Sequence, residues 1–252
     1  MNRAVYPSLK DKLVVITGGG SGIGAALTEG FAAQGARVVF LDVADADSKA
    51  LETSLSAHAH APRYIRCDLK DLSGLRTTLD EVARTHGPVD ILINNAANDD
   101  RHALAEVTPQ YWDDRIAVNL RHLFFATQAV APAMKAAGKG VILNLGSISW
   151  HLGLPDLSLY ETAKAGIEGM TRALARELGV DGIRVSCIVP GNVKTPRQER
   201  WYTPEGEAEI VSAQCLKGRV EPRDIAAMAM FLASDDARFV TGHEYFVDAG
   251  WR

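Results

Sequence analysis

The chain has 252 residues, of which 47% are hydrophobic and 23% are charged, the ordinary balance of a globular protein. Its formal net charge of −4 gives no basis for a nucleic acid or an anionic membrane surface as a partner. No apolar run approaches the roughly 18 residues of a membrane span, and the N-terminus lacks the apolar core of a signal peptide, so we expect a cytoplasmic protein.

Short apolar runs alternate with longer amphipathic ones along the chain. The apolar runs predict seven strands, at 12–19, 37–43, 63–69, 89–97, 140–147, 183–191 and 244–250. The amphipathic runs predict helices at about 22–36, 72–87, 108–138, 156–178 and 221–234. Strands of consecutive Val, Ile and Leu separated by helices are typical of a parallel sheet covered on both faces. The sequence therefore predicts a doubly wound α/β fold, of the Rossmann type, as one domain over residues 1–252.

One segment interrupts the alternation of strands and helices. Residues 192–220 are polar and contain two prolines. Long insertions in compact domains are often lids or binding loops, so we expect a substrate loop here, with a solvated surface loop as the alternative.

Cysteine usage favours neither disulfides nor metal binding. The cysteines are three in number, widely spaced and without a CxxC pair, at Cys67, Cys187 and Cys215. We expect free thiols in a reducing compartment and no metal site.

The segment VVITGGGSGIGAAL places Gly18, Gly22 and Gly24 where the first strand meets the first helix. Such a turn brings backbone N–H groups and a helix N-terminus to a pyrophosphate. Asp42 ends the second strand, 18 residues after Gly24. A carboxylate there accepts hydrogen bonds from both ribose hydroxyls and repels a 2′-phosphate, so we predict NAD rather than NADP as the cofactor.

Tyr160 and Lys164 are four residues apart in a predicted helix, so they share one face. A free tyrosine has a pKa of about 10 and is a poor base near neutral pH. A nearby ammonium and a positive nicotinamide ring both favour the tyrosinate, so we expect a lowered Tyr160 pKa. Ser147 follows a strand at the edge where ligands bind such sheets, and its hydroxyl can hold the reacting oxygen. The alternative is an exposed pair on a helix surface.

Together these motifs resemble the short-chain dehydrogenase/reductase family. The resemblance extends from Leu13 to the C-terminus and includes TGGGSGIG, NNAA at 94–97, Asn119, Ser147, YETAK at 160–164 and PGNVKT at 190–195. It departs from the usual NNAG at Ala97, where an added methyl could crowd the backbone beside the cofactor.

The resemblance implies a role for each matching position. Asn119 would anchor a water and act with Ser147, Tyr160 and Lys164, while Asn94 would hold the central strands. Asp68 would meet the adenine amino group, the backbone around Ala96 would line the ribose, and Val193 and Thr195 would fix the carboxamide. The cofactor positions implied are Gly18, Ser21, Gly22, Ile23, Gly24, Asp42, Asp68, Leu69, Asn95, Ala96, Tyr160, Lys164, Pro190, Val193 and Thr195.

Four segments are expected around the substrate, at 98–102, 149–153, 191–192 and 198–203. They are rich in hydrogen-bonding groups and flat aromatic rings, which suit a hydroxyl-rich neutral ligand. Several arginines and lysines nearby leave an acidic substrate open. The same segments resemble NAD-dependent aldose 1-dehydrogenases, which implies oxidation of a sugar's anomeric hydroxyl. The expected substrate positions are Asn98, Asp99, Ser149, Trp150, His151, Tyr160, Asn192, Gln198 and Trp201. The alternative for Asp99 is a helix cap or turn, and for Trp150 and His151 it is packing under the lid.

D-xylose is the first expectation for the sugar, and L-arabinose, D-galactose and L-fucose are alternatives. A reductase of a keto compound uses the same groups. A non-catalytic NAD(H)-sensing protein belongs to a different class, but it should lack at least one of Ser147, Tyr160 or Lys164, and all three are present. The family resemblance also implies a homotetramer.

Overall fold

The computed structural model describes residues 4–199 and 202–251. Its strands form one parallel seven-stranded sheet in the order β3-β2-β1-β4-β5-β6-β7. The bounds are β1 Leu13–Thr17, β2 Arg37–Asp42, β3 Arg63–Arg66, β4 Ile91–Asn94, β5 Gly140–Leu145, β6 Ile183–Pro190 and β7 Glu244–Val247. The predicted fold class, a doubly wound α/β sheet, is confirmed.

Helices connect the strands. Their bounds are α1 Gly22–Ala33, α2 Asp45–Ser54, α3 Leu72–His86, α4 Pro109–Ile116, α5 His122–Ala137, α6 Ser149–Leu152, α7 Ser158–Gly179, α8 Pro196–Glu199, α9 Pro204–Ala213 and α10 Pro222–Ala233. A π turn, Ala117–Arg121, joins α4 to α5, and short 3₁₀ turns lie at Pro7–Leu9, Leu104–Glu106 and Asp235–Ala237.

The two faces of the sheet have separate apolar cores. In β1, Val14 and Ile16 pack in the core that contains residues of α1 and α10. Leu13 and Val15 point the other way, into the core that contains residues of α3, α5 and α7. Since alternate residues of a strand face opposite sides, a strand buried on both faces must be apolar throughout.

Strand register brings several strand ends together at one edge. Thr17 at the end of β1 pairs with Asn94, and Asn94 pairs with Asn144 near the end of β5. The order of connections reverses between β1 and β4, which opens a crevice at the carboxyl ends of the strands. The residues that the sequence assigns to the cofactor and to the chemistry follow these strand ends.

The structure differs from the sequence-based expectations in four places, one of which is the short helix α6, which was not predicted. Helix α2 was not predicted, because it is polar and only Ser48 of it is buried. The single helix expected over 108–138 is divided by the π turn, which hydrophobic periodicity does not reveal. The segment 192–220 contains α8 and α9, and each begins with a proline, which is favourable in the first turn of a helix.

Candidate active site

Glycines shape the turn between β1 and α1, and its geometry fits a dinucleotide pyrophosphate. Gly18 and Gly22 have φ angles of +64° and +53°, in the left-handed region that favours glycine. A Cβ added to Gly24 would lie 1.8 Å from the Gly18 carbonyl oxygen, so only glycine lets α1 pack this closely. Ser21, the N-cap of α1, and Ile23 belong to the same turn. The turn therefore offers a phosphate both backbone N–H groups and a helix N-terminus.

Asp42 ends β2 beside this turn. Its Oδ2 accepts a hydrogen bond of 2.9 Å from the Gly20 N–H, and its Oδ1 accepts from the two N–H groups that follow it. One positively charged side chain lies nearby: Arg66 reaches the connection between β2 and α2. Its guanidinium donates to the Asp45 carboxylate at 2.8 Å, so its charge is paired. The position predicted for the ribose is therefore flanked by a fixed carboxylate and a neutralised arginine.

Asn95 and Thr17 tie the end of β4 to the glycine turn. The Asn95 Nδ2 donates to the carbonyl oxygens of Thr17, at 3.0 Å, and of Gly18, at 2.8 Å. The Thr17 hydroxyl accepts from the N–H groups of Asn95 and Ala96 at 3.0 and 3.2 Å. Asn95 therefore supports the turn through its side chain, and Ala96 lies against Gly18, as a residue lining the cofactor should.

The position predicted for the adenine lies after β3. Asp68 is exposed, and its Oδ1 accepts a 3.0 Å hydrogen bond from the Lys70 N–H. Leu69 is 6% exposed and packs in the core. The exposed carboxylate is accessible to a ligand, whereas Leu69 contributes mainly to packing.

The segment after β6 approaches the glycine turn from the opposite side. Pro190 ends β6, and Val193 is buried and forms an isolated parallel bridge with Val220. A Cβ built on Gly22 would lie 3.4 Å from the Cγ2 of Thr195. Residues far apart in sequence thus meet across one crevice, as expected of the two ends of a dinucleotide site.

Tyr160 and Lys164 lie on one face of α7, as their spacing predicts. The Lys164 Nζ lies 5.3 Å from the centroid of the Tyr160 ring. It also donates a 2.7 Å hydrogen bond to the carbonyl of Leu145, the last residue of β5. Lys164 is 2% exposed, and burial lowers its pKa to about 8.

Ser147 follows β5 and is close enough to Tyr160 to influence the pKa of its phenol. Burial raises the pKa of Tyr160 and the charge of Asp99 raises it further, whereas Ser147 and Arg197 lower it. The lowered pKa expected from the spacing to Lys164 is therefore not what the protein's own groups produce. Burial of the phenol, which spacing does not reveal, outweighs the nearby charges.

Asn119 lies within the π turn and is fully buried. Its Oδ1 accepts a hydrogen bond from the Asn98 N–H at 2.8 Å, and its Nδ2 donates to the Asn98 carbonyl at 2.9 Å. The side chain thus fixes the loop after β4, and its predicted contact with a water stays a prediction. π turns often occur at functional sites, and this one places Asn119 beside the loop after β4.

A buried amide chain lies behind the site. The Asn94 Nδ2 donates to Asn144 Oδ1 at 2.9 Å, and the Asn144 Nδ2 donates to the Thr171 hydroxyl at 2.9 Å. This chain joins β4, β5 and α7, in agreement with the role expected for Asn94.

His122, directly after the π turn, is fully buried. Burial lowers its pKa to about 3, the nearby backbone at Ala117 and Val118 opposes this shift, and the Lys164 charge lowers the pKa further. The imidazole is therefore neutral at ordinary pH.

The substrate rim, which we define as Asp99, Asn192, Gln198 and Tyr202, joins two distant parts of the chain. Asp99 Oδ2 accepts a 2.9 Å hydrogen bond from Gln198 Nε2, and Asp99 Oδ1 accepts one of 3.1 Å from Arg197. The Tyr202 hydroxyl lies 2.6 Å from Gln198 Oε1 and 2.7 Å from Asn192 Oδ1. The segment 192–220 is therefore fastened to the loop after β4, as a lid would be.

Arg219 supports the rim from beneath. Its guanidinium lies over the Tyr202 ring, 5.2 Å from the centroid, and donates to Asn192 Oδ1 at 2.9 Å. It also forms an ion pair with Glu207 of α9.

Trp150 and His151 lie in α6, close to the site but turned toward α7. The Trp150 Nε1 donates to Glu168 Oε1 at 2.8 Å, and the His151 Nε2 lies 3.1 Å from the same oxygen. Ser149 is buried, and its hydroxyl lies 2.9 Å from that of Ser147. The polar edges of Trp150 and His151 contact Glu168, so their predicted role as sugar ligands stays a prediction. Trp201, also predicted to bind substrate, lies outside the described residues.

Three residues at the site were missed by the sequence analysis: Thr17, Glu168 and Arg219. Glu168 had a signal, because it continues the four-residue spacing of Tyr160 and Lys164. The others had none, since their partners are distant in sequence.

Within residues 4–199 and 202–251, no helix has the length and apolar character needed to cross a bilayer. In the same residues no group of three or more His, Cys, Asp or Glu side chains is placed to hold a metal ion. The three cysteines are free thiols, and only Cys215 is exposed.

Comparison with known proteins agrees with this geometry. A family model described as "Enoyl-(Acyl carrier protein) reductase" matches residues 18–252. The chain is 68% identical to D-xylose 1-dehydrogenase of Caulobacter vibrioides over 252 residues, all of both chains. It is 47% identical to a probable galactose dehydrogenase of Rhizobium meliloti, over 97% of this chain and 96% of that one.

A solved structure, a blue fluorescent protein from a metagenomic library in complex with NADPH, superposes with a TM-score of 0.89. It is 36% identical and covers 97% of this chain and 99% of that chain. The fold, the glycine turn, the meeting of Ser147, Tyr160 and Lys164, and these full-length similarities confirm the resemblance seen in the sequence: the protein belongs to the short-chain dehydrogenase/reductase family of oxidoreductases.

Proposed function

We propose that this protein oxidises the anomeric C1 hydroxyl of a cyclic aldose to the lactone, with NAD as the acceptor and D-xylose as the best substrate. The observation that carries the proposal is 68% identity, over the whole of both chains, to a D-xylose 1-dehydrogenase. The similarity to a probable galactose dehydrogenase supports the wider class of aldoses.

The protein's own residues supply the proton chemistry. Tyr160 takes the proton of the sugar hydroxyl, and Ser147, close to the Tyr160 phenol, steadies the same oxygen. Lys164, anchored on the Leu145 carbonyl, keeps a positive charge next to the Tyr160 ring. NAD, when bound, supplies an acceptor for the hydride from C1 and a positive ring that favours the tyrosinate.

Asn119 has an indirect part in this chemistry. Its two hydrogen bonds to Asn98 place the loop that carries Asp99 beside Tyr160. We assign it a positioning role in addition to the water contact that the family resemblance implies.

NAD is proposed over NADP because of Asp42. Its carboxylate is held at the end of β2 by backbone N–H groups and retains lone pairs for ribose hydroxyls. A 2′-phosphate would meet that charge, and Arg66, which could offset it, is paired with Asp45. Values of kcat/KM with the two cofactors test this, and equal or better use of NADP by the wild type would contradict it.

The rim favours a neutral, hydroxyl-rich substrate. Asp99, Asn192 and Gln198 present carboxylate and amide groups that can exchange their present partners for sugar hydroxyls. The charge of Arg197 is paired with Asp99, which lowers the attraction for an acidic substrate. Residues 192–220 then serve as the lid over a single catalytic domain.

We also propose a cytoplasmic homotetramer. The free thiols fit a reducing compartment. Trp112, Phe124 and Phe125 expose aromatic surface on α4 and α5, which a contact between subunits would cover. Light scattering tests the assembly, and a monomer at micromolar concentration would contradict it.

The decisive test of function is a panel of aldoses with NAD, followed by NADH absorbance and by identification of the product. We expect D-xylose to give the highest kcat/KM, with a lactone as product. If no aldose is oxidised, the proposed function is wrong.

A further inference from the structure

We propose that Glu168 is a positioning residue for this oxidation: it holds the short helix α6, and through α6 the hydroxyl of Ser147, in the geometry that receives the sugar. The inference rests on the proposed function. It starts from a buried carboxylate that lies on the same helix face as two catalytic side chains but has no part in the chemistry described above.

Glu168 continues the row formed by Tyr160 and Lys164. The three residues are spaced by four along α7, so their side chains follow one another on one face. Tyr160 and Lys164 face the crevice and the end of β5. Glu168, one turn further, is directed beneath the site and is 7% exposed.

A carboxylate at such depth is costly unless it is hydrogen-bonded. Glu168 Oε1 lies 2.8 Å from the Trp150 Nε1 and 3.1 Å from the His151 Nε2. Both partners belong to α6, so one carboxylate oxygen contacts consecutive side chains of the same turn. An apolar residue at 168 could fill the space, but it would remove the acceptor for the buried edge of the indole.

Helix α6 depends on such support. It has four residues, its N-cap Ile148 offers no side-chain hydrogen bond, and it ends at Gly153 in the left-handed conformation. A single helical turn is not stable by itself. The rings of Trp150 and His151 lie 3.8 Å apart, and both are linked to Glu168, so the carboxylate fixes the turn as a unit.

The orientation of Ser147 depends in turn on α6. Its hydroxyl oxygen lies 2.9 Å from that of Ser149 and accepts a 3.2 Å hydrogen bond from the Ser149 N–H. Glu168 also borders the backbone just before the serine, because a Cβ built on Gly146 would lie 3.3 Å from Glu168 Oε1. Loss of the carboxylate should therefore disturb the group that steadies the sugar oxygen, while Tyr160 and the glycine turn stay in place.

The test compares Glu168→Ala, Glu168→Asp and Glu168→Gln with the control Glu177→Gln, an exposed position on the same helix. We expect Glu168→Ala to lower kcat/KM for the sugar by about tenfold or more, with NADH affinity within about twofold of the wild type. Glu168→Asp should show the same pattern, because its shorter side chain cannot reach both donors. Glu168→Gln should recover most of the activity, since an amide oxygen can accept the same two hydrogen bonds.

If Glu168 contributes only to the stability of the fold, the variants should give different results. If Glu168→Ala or Glu168→Asp lowers the melting temperature but leaves kcat/KM per NADH-binding site unchanged, the proposal is overturned. It is also overturned if sugar turnover and NADH affinity fall together, or if Gln is no better than Ala. Should the Ala variant fail to fold, the Asp and Gln pair decides in the same way.

The indole N–H resonance of Trp150 separates this inference from the proposed function. We expect it to shift in Glu168→Ala and to stay in place in Glu177→Gln, with no sugar present. If the wild type oxidises no aldose but Glu168→Ala shows this shift, the proposed function is contradicted, while the role of Glu168 in holding α6 is supported. An unchanged resonance would overturn the inference whatever the substrate.

Discussion

The residues of the reaction and the residues around the substrate are held in place by different means. The catalytic frame, which we define as the residues proposed for the reaction, Asn119, Ser147, Tyr160 and Lys164, is tied mostly to main-chain atoms of the sheet edge and the adjoining loop. The substrate rim depends on contacts between side chains, such as those from Asp99 to Arg197 and Gln198.

The difference indicates which part of the site tolerates amino-acid substitutions. Main-chain partners do not vary with sequence, so a frame built on them keeps its geometry when neighbouring side chains change. A rim built from contacts between half-buried side chains can be altered by one substitution, which suits the substrate-selecting role proposed for it. The predictions below test this contrast, from the largest expected effect to the smallest.

The frame should not tolerate loss of its base. Tyr160→Phe removes only the hydroxyl, so we expect kcat to fall by about 10³-fold while NADH binding is retained. Steady-state kinetics and fluorescence titration with NADH measure the two effects. A kcat near that of the wild type would refute the assignment of Tyr160.

Acid should destabilise the folded protein through His122, which is buried and lies near Lys164 of the frame. Its pKa is about 3 when folded, below the ordinary 6.5, so the unfolded chain binds more protons between these values. Stability from the neutral imidazole is therefore complete above pH 6.5 and is lost as pH falls toward 3. Melting temperatures from pH 7 to 4 should decline less steeply for His122→Gln than for the wild type. Parallel curves would show that His122 has no such role.

A change in the rim should affect specificity and pH response but leave turnover possible. Asp99→Asn removes the ion pair with Arg197 and keeps an acceptor for Gln198, so we expect the sugar KM to rise by about two- to fivefold. The Asp99 charge raises the pKa of Tyr160. Without it that pKa falls, and because the base must be deprotonated, the rise of kcat/KM with pH should begin at lower pH. An unchanged pH profile would contradict the coupling between rim and frame.

The smallest effect is expected at Ala97, which lies in the loop after β4. The family usually has glycine here, and the alanine methyl was expected from the sequence to crowd the backbone beside the cofactor. The added methyl removes no chemical group, so Ala97→Gly should change the KM for NAD by about twofold or less. A larger change would show that this position tunes cofactor affinity.

The sequence was sufficient to predict the parallel sheet, the glycine turn and the helix face that carries Tyr160 and Lys164. Uniformly apolar strands between amphipathic helices predicted the parallel sheet, because a strand covered on both faces must be apolar at every position. The glycine turn and the spacing of Tyr160 and Lys164 were equally local, since a tight turn and a helix face are defined within a few residues.

Tertiary structure decided what depends on contacts between distant residues. Trp150 and His151 were predicted to meet the sugar, yet their polar edges converge on Glu168. Burial, and not spacing, sets the pKa of Tyr160. Asp99 was predicted to bind substrate, and in the structure it joins the loop after β4 to the segment 192–220 through Arg197 and Gln198. Partner choice of this kind depends on which side chains the fold brings within 3 Å, and no local pattern in the chain records it.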